Sequence, residues 1–77
     1  MIKENKIQEK INSLEGDFKL VFFENNNISE TILLCNRENK KDKYSIFVLN
    51  KKDNIFIVDL DVDLKKAIEQ FHKLINK

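Results

Sequence analysis

The spacing of hydrophobic residues changes sharply within the second half of the chain. Residues 44–50 and 55–60 are two runs of mainly aromatic and β-branched side chains, separated by the polar segment 51–54. Two such runs joined by a short polar segment predict a β-hairpin. Beyond the hairpin, the apolar residues recur every three or four positions, which predicts an amphipathic helix. The positions on its apolar side are Leu64, Ala67, Ile68, Phe71, Leu74 and Ile75.

The first half of the chain begins with a narrower helical pattern. Ile7, Ile11 and Leu14 are separated by charged and amide side chains, which predicts a helix over residues 2–14 with one apolar stripe. Gly16 is the only glycine in the chain and can adopt the left-handed conformation that ends many helices. We therefore expect this helix to stop at about Glu15.

Two more strands are expected between the first helix and the hairpin. Apolar residues dominate segments 17–24 and 28–36. The three asparagines 25–27 predict a turn, because asparagine tolerates positive φ better than other non-glycine residues. The polar segment 37–43 is interpreted as a loop that leads into the hairpin.

The predicted order of elements is α-β-β-β-β-α in a single domain, residues 1–77. Every connection between strands is shorter than the dozen or so residues that a parallel crossover needs. The strands, three to four in number, should therefore form an antiparallel meander. The fold class is α+β, with this sheet flanked by an N-terminal and a C-terminal helix.

Both faces of the predicted sheet are apolar. Strict alternation along each strand puts the following residues on one face: Phe18, Leu20, Phe22, Ile32, Leu34, Ile46, Val48, Ile55 and Ile57. The other face then receives Val21, Phe23, Leu33, Phe47, Leu49, Phe56, Val58 and Leu60. An antiparallel sheet with one solvated face would instead alternate polar and apolar residues. Either the helices cover opposite faces, or both pack on one face and the second is buried by another copy or another protein.

Length, composition and charge limit the function classes. The chain has 77 residues, of which 42% are hydrophobic and 35% charged, and its formal net charge is +1. A folded domain of this size buries only about 60% of the surface that its unfolded chain exposes, so there is little room for a substrate cavity. We therefore expect no enzyme activity and no cofactor. The balanced charge gives no general attraction to DNA or to an anionic membrane.

The number of cysteines and the length of the apolar runs indicate the cellular compartment of the protein. Cys35 is the only cysteine, and its place in an apolar strand predicts a buried structural thiol of a reducing compartment. The only histidine, His72, adjoins the apolar side of the last helix and is interpreted as a boundary residue. No apolar run approaches the roughly 18–20 residues of a membrane span, and residues 1–6 lack the apolar core of a signal peptide. The expected location is the cytoplasm, with no membrane contact.

Three acidic residues alternate where the last strand meets the last helix. Asp59, Asp61 and Asp63 could supply oxygen ligands to Mg²⁺ or Ca²⁺. The segment lacks the glycine and the downstream glutamate of an EF-hand loop. Asp61 or Asp63 is also expected to cap the last helix by accepting from its free N–H groups. No metal site is therefore predicted, and the three carboxylates are candidate contacts to a partner.

Basic residues are concentrated on either side of the third strand. Between residues 36 and 52, six basic side chains occur with only two acidic ones. The candidates for a partner-binding or phosphate-binding surface are Lys40, Lys41, Lys43, Lys51 and Lys52, with Tyr44 as a neighbouring aromatic. Phe47 could add a second aromatic ring if its face is open. In a meander the two lysine groups lie at opposite ends of the third strand, so they need not form one surface.

The chain resembles the small phage-encoded anti-CRISPR proteins in the order of its elements. The resemblance rests on segments 27–34, 44–47 and 71–74, which are similar in order and spacing to a family of CRISPR-nuclease inhibitors from Listeria prophages. It covers most of the chain. That family is strongly acidic and imitates DNA, whereas the charge here is balanced. The resemblance implies only a small non-catalytic protein that occupies the surface of a larger target, such as a bacterial defence nuclease.

The leading functional hypothesis is a protein-binding module, an inhibitor or adaptor that uses an exposed sheet face or sheet edge. Edge strands suit this role because their outward backbone groups are unpaired. The alternative is a small nucleic-acid-binding protein that uses the basic segments within residues 37–52. A homodimer with no other partner is the third hypothesis.

Overall fold

The secondary structure follows the predicted order. The computed structural model describes residues 4–77, so the predicted start of the first helix at residue 2 lies outside the described residues. The elements are α1 (Glu4–Asn12), β1 (Phe18–Asn25), β2 (Thr31–Arg37), β3 (Lys40–Leu49), β4 (Ile55–Val62) and α2 (Leu64–Ile75). None of the helices within residues 4–77 is long and apolar enough to cross a membrane.

The four strands form one antiparallel sheet in the order β1-β2-β3-β4, which confirms the meander. The strands β2 and β3 lie in the middle, and β1 and β4 lie at the edges. The β1–β2 and β3–β4 turns are at one end of the sheet. The β2–β3 turn is at the other end.

The two helices cover opposite faces of the sheet. On the face covered by α1, the buried residues are Ile7, Ile11, Phe18, Leu33, Cys35, Phe47 and Leu49. On the face covered by α2, they are Ile32, Leu34, Ile46, Val48, Ala67, Phe71 and Leu74. We call these the α1 face and the α2 face. The arrangement with one helix on each face is therefore confirmed.

The cover by a helix on each side explains why the central parts of β2 and β3 carry apolar residues on both faces. In β2, Leu33 and Cys35 contribute to the α1 face, whereas Ile32 and Leu34 contribute to the α2 face. A fully buried Leu or Ile side chain contributes about 1.5–3 kcal/mol of burial free energy. A strand covered on both sides gains this at successive residues, so a continuous apolar run is favoured over alternation.

Strict alternation in β1 is wrong, because the strand contains a bulge. Its pairing with β2 shifts between Leu20 and Phe22, so Val21 is an extra residue in the ladder. The bulge reverses the alternation and puts Leu20 and Phe23 on the α1 face, with Phe22 on the α2 face. The Leu20 N–H donates to Gln8 Oε1 of α1 at 3.3 Å.

The predicted grouping of strands onto common faces is right for β2, β3 and the second half of β1, and wrong for the start of β1 and for β4. Phe18 and Ile55 pack on the α1 face, opposite to Ile32 and Ile46. Alternation divides the side chains of a strand into two sets, but it does not determine which face of the sheet each of these sets occupies. That depends on the register between strands, which the sequence pattern does not contain.

The segment 37–43, interpreted as a loop, is a tight hairpin. β2 ends at Arg37 and β3 begins at Lys40, and these two residues are paired across a two-residue turn. Residues 38–42 are all exposed. A strand end with no buried face needs no apolar residues, so the period-two signal is missing there.

Gly16 has a different role from the one expected. α1 ends at Asn12, before the predicted end at Glu15, so Gly16 does not terminate the helix. Its φ is 123°, and a Cβ at this position would lie 2.9 Å from Cε2 of Phe18. The glycine allows the chain to pass close to the Phe18 ring as β1 begins.

Candidate protein-binding site

The predicted basic residues lie at opposite ends of the sheet. Lys40, Lys41 and Lys43 are at the start of β3, beside the β2–β3 turn, whereas Lys51 and Lys52 are in the β3–β4 turn. The 10 residues of β3 span roughly 30 Å at the usual rise of a strand. The sheet therefore keeps the two lysine groups apart.

Lys40 belongs to an ion-pair cluster around Asp61. Lys40 Nζ lies 3.3 Å from Asp61 Oδ2, and Arg37 Nε lies 3.4 Å from Asp61 Oδ1. The Arg37 guanidinium also stacks on Phe18, 4.4 Å from the ring centroid. The Asp61 N–H donates to Ser45 Oγ at 3.0 Å. The cluster links β4 to the β2–β3 turn. Asp61 is largely buried in it, whereas Lys40 remains exposed while its ammonium group is paired with Asp61.

The other two acidic candidates have different surroundings. Asp63 Oδ1 accepts from the Lys66 N–H at 2.9 Å, which confirms the helix cap for Asp63 and not for Asp61. Asp59 is half-buried on β4. Within residues 4–77, no group of three or more His, Cys, Asp or Glu side chains is placed to hold a metal ion.

The aromatic candidates are parts of the core rather than of a surface. Phe47 is fully buried on the α1 face, and Tyr44 is half-buried against the core of the α2 face. Base stacking needs an aromatic ring with an open face beside the basic groups. Neither ring offers the basic segments such a platform.

Cys35 and His72 occupy the environments expected of them. Cys35 is buried, and desolvation by this burial raises the pKa of its thiol to about 12. Since the thiolate is the reactive form, the side chain is suited to packing and not to nucleophilic chemistry. His72 is exposed on α2, directly after the buried Phe71.

An open apolar groove lies between β1 and α2 on the α2 face. Its volume is about 290 Å³. The residues that line this β1–α2 groove are Phe22, Glu24, Leu34, Ile68, Phe71, His72 and Ile75.

The groove exists because α2 carries more apolar surface than the sheet covers. Ala67, Phe71 and Leu74 are buried, whereas Ile68 on the β1 side of the helix is 43% exposed. Phe22 faces it from β1 and is 53% exposed, with its ring centroid 5.8 Å from that of Phe71. Large apolar side chains that remain half-exposed in a cluster are typical of interaction sites.

The strand that borders the groove is a sheet edge. Within residues 4–77, β1 pairs with β2 alone, so its outward N–H and C=O groups have no strand partner. The half of β1 next to the groove, residues 22–25, pairs with β2 without a shift. A regular, unpaired stretch of backbone therefore runs alongside an apolar groove.

The turn after β1 fixes the position of the strand relative to α2. Asn26 is buried, and its Nδ2 donates to the Leu74 carbonyl at 3.1 Å. The Asn27 N–H donates to the Lys77 carbonyl at 3.3 Å. The Leu74 carbonyl lies in the last turn of α2 and has no partner within the helix, so the bond from Asn26 satisfies it. The bond from Asn27 reaches Lys77, which follows the helix. These two bonds hold the C-terminal end of α2 against the β1–β2 turn.

None of the predicted site residues lines the β1–α2 groove. The sequence contains one signal that could have indicated it, because Leu64 and Ile68 make the apolar side of α2 wider than a helix needs for contact with one sheet. The other wall is formed by Phe22, which the predicted alternation correctly puts on the same face as Leu34. The pattern does not show that α2 is the helix that covers this face.

Comparisons with known proteins give no test of the resemblance to anti-CRISPR proteins. It therefore stays a prediction. No family model, no curated protein and no solved structure matches the chain.

Proposed function

We propose that the protein is a non-catalytic protein-binding module that takes an extended segment of another protein along β1. An apolar side chain of that segment occupies the β1–α2 groove. The observation that carries this proposal is the position of the groove directly beside the unpaired edge of β1. A protein bound in this way is inhibited or recruited by stoichiometric contact.

Two kinds of contact contribute to this binding mode. The strand edge provides one, and the groove provides the other. Backbone hydrogen bonds to an edge strand give affinity, and pockets for alternate side chains of the added strand give specificity. Residues 22–25 can supply the hydrogen bonds. Phe22 and Ile68 supply apolar surface, which contributes about 25 cal/mol per Å² when it is removed from water.

The groove is held in shape before any partner arrives. Its β1 wall is fixed by pairing with β2, and its α2 wall is fixed by the buried Ala67, Phe71 and Leu74. The bonds from Asn26 and Asn27 join the two walls at one end. A preformed site loses less conformational entropy on binding, so a small surface can still give useful affinity.

Nucleic-acid binding is supported less well by the same structure. The lysines form two separated groups, Lys40 is paired with Asp61, and Phe47 is buried. Binding of phosphates would need a continuous basic surface. If the resemblance to anti-CRISPR proteins holds, the bound protein is a bacterial defence nuclease, and the contact is to that protein rather than to its nucleic acid.

Affinity capture from a bacterial lysate, run with and without nuclease, tests the proposal with a matched pair of variants. Phe22→Ser removes an aromatic side chain that lines the groove, and Phe56→Ser removes one from the opposite edge strand. Both phenylalanines are 53% exposed, so the substitutions are comparable in residue type and burial. Thermal unfolding of each variant verifies that it is folded before capture.

We expect the wild type and Phe56→Ser to retain the same protein in near-stoichiometric amount, and Phe22→Ser to lose it. Equal retention by all three chains contradicts the assignment of the groove. Retention that disappears with nuclease treatment contradicts protein binding altogether and makes the lysine segments the site.

A further inference from the structure

With histidine counted as neutral, the β1–α2 groove carries one formal charge. Glu24 is the one carboxylate among the described residues that line it, and none of those residues is a lysine or an arginine. The Glu24 side chain is exposed on β1. Among the ion pairs formed by residues 4–77, none involves Glu24. The groove therefore has a negative charge beside its apolar surface.

The position of Glu24 on β1 fixes its place relative to the apolar part of the groove. Phe22 is paired with Leu34 and Glu24 with Ile32, and both partners belong to the α2 face. Phe22 and Glu24 therefore point to the same face, two residues apart, where the ladder with β2 has no shift. A strand added to β1 places one side chain beside Phe22 and another, two residues away, beside Glu24.

A second carboxylate lies at the same end of β1. Glu30 follows the β1–β2 turn, and its Oε1 accepts from Asn26 Nδ2 at 2.9 Å. Lys73, in the last turn of α2, does not line the groove. The electrostatic environment beside Glu24 therefore favours an incoming cation over an incoming carboxylate.

The groove has room for one large apolar side chain. Its volume of about 290 Å³ lies just below the roughly 300–1,000 Å³ of pockets that hold whole small ligands. In an added strand the next residue points to the α1 face, and the residue after that returns to the α2 face. One apolar and one further side chain of the segment can thus be recognised on the α2 face.

We infer that the segment bound along β1 carries a lysine or arginine two residues from the apolar residue that enters the groove. This inference rests on the proposed function, because it specifies the chemistry of the segment that β1 binds. The basic residue precedes the apolar residue if the segment runs antiparallel to β1, and follows it if the segment runs parallel. Its charged group pairs with Glu24 across the two strands.

Glu24 selects among segments more than it contributes to affinity. Opposite charges directly across two strands are favourable, and like charges are unfavourable. For an exposed pair we expect a gain of about two- to fivefold in affinity. An acidic residue at the same position is disfavoured by a similar factor, so exchanging a basic for an acidic residue should weaken binding about tenfold.

Peptide selection followed by a charge swap tests the inference. A displayed random library is selected on the folded wild-type chain at pH 8, where an imidazole is ordinarily neutral. One enriched peptide, and a version with glutamate in place of its basic residue, are then titrated onto wild type, Glu24→Lys and Glu15→Lys. Glu15 is exposed in the segment before β1, at the end of the strand away from the β1–β2 turn. Glu15→Lys is therefore a control with the same change in net charge.

We expect the enriched peptides to contain a lysine or arginine two residues from a large apolar residue. Wild type and Glu15→Lys should bind the basic peptide about tenfold more tightly than the acidic one, and Glu24→Lys should reverse this preference. Thermal unfolding verifies that each variant is folded. Glu24→Gln, which removes the charge alone, is the second variant and should lose most of the preference.

The outcomes separate a failure of this inference from a failure of the proposed function. Amide chemical shifts that change at residues 22–25 and 68–75, with the same peptide preference in wild type and both Glu24 variants, overturn the inference and leave the proposed function standing. Enriched peptides without a basic residue at the stated spacing do the same. A library that yields no peptide, or peptides that bind elsewhere on the chain, contradicts the proposed function and the inference with it.

Discussion

At the scale of single residues, two asparagines build the same turn in two places. In each turn the Oδ1 atom of Asn26 or Asn50 accepts from the N–H groups two and four residues later, at 2.9–3.0 Å. Ser29 and Asp53 take the matching left-handed position, with φ of 64° and 65°. Only Asn26 also reaches a helix, because its Nδ2 donates to the Leu74 carbonyl. Comparing the two asparagines therefore separates the contribution of the turn to stability from that of the hydrogen bond to Leu74.

Replacing each asparagine by aspartate measures how much the hydrogen bond between Asn26 and Leu74 contributes to the free energy of unfolding. Asn26→Asp keeps the acceptor of the turn but removes the donor to Leu74 and places a carboxylate beside Glu30. We expect the free energy of unfolding to fall by about 1–3 kcal/mol, the usual loss for a buried group left without its partner. Asn50→Asp should change it by less than about 0.5 kcal/mol. Urea denaturation measures both, and equal losses would show that the contact with α2 is unimportant.

Cys35 provides a prediction about pH. Burial raises the pKa of its thiol from 9.0 to about 12, so the folded protein holds this proton where the unfolded chain releases it. The stability linked to the thiol is therefore complete below pH 9 and is lost as the pH rises towards 12. Cys35→Ala should lack this alkaline loss relative to wild type. At pH 8 the native thiol should also react with a thiol reagent far more slowly than the urea-unfolded chain, and rapid native reaction would contradict its burial.

At the scale of elements, the spacing of apolar residues predicted the helices and strands but not the register between strands. The apolar stripes predicted both helices, and the apolar runs predicted four strands in an antiparallel meander. The bulge at Val21 and the two-residue β2–β3 turn were not predictable, because both depend on register between strands. The β1–α2 groove was missed because the pattern put Phe22 on the same face as Leu34 but did not show which helix covers that face.

The two helices are expected to respond differently to truncation of an isoleucine. Ile11 of α1 is fully buried, so Ile11→Ala should leave a cavity and lower the free energy of unfolding by about 2–5 kcal/mol. Ile68 of α2 is 43% exposed, so Ile68→Ala should lower it by less than about 1 kcal/mol. Denaturant unfolding compares the two. A large loss for Ile68→Ala would mean that this residue serves the core rather than the groove.

At the scale of the whole molecule, the helices cover both faces of the sheet, and within residues 4–77 no strand pairs with either edge. The described residues place an apolar groove beside one edge and exposed apolar side chains along the other. The basic and acidic residues singled out in the sequence are divided between the ends of the sheet, the Asp61 cluster and the cap of α2. This distribution is the reason for proposing contact with protein rather than with nucleic acid.

The central claim is that β1 and α2 together bind an extended segment of another protein. Amide chemical-shift mapping tests it most directly, using a peptide selected on the folded protein from a displayed random library. We expect the largest shifts at residues 22–25 and 68–75, with slower amide exchange in residues 22–25 as backbone hydrogen bonds form. Shifts confined to residues 40–43 or 51–52, or a selection that enriches no peptide, would contradict the claim.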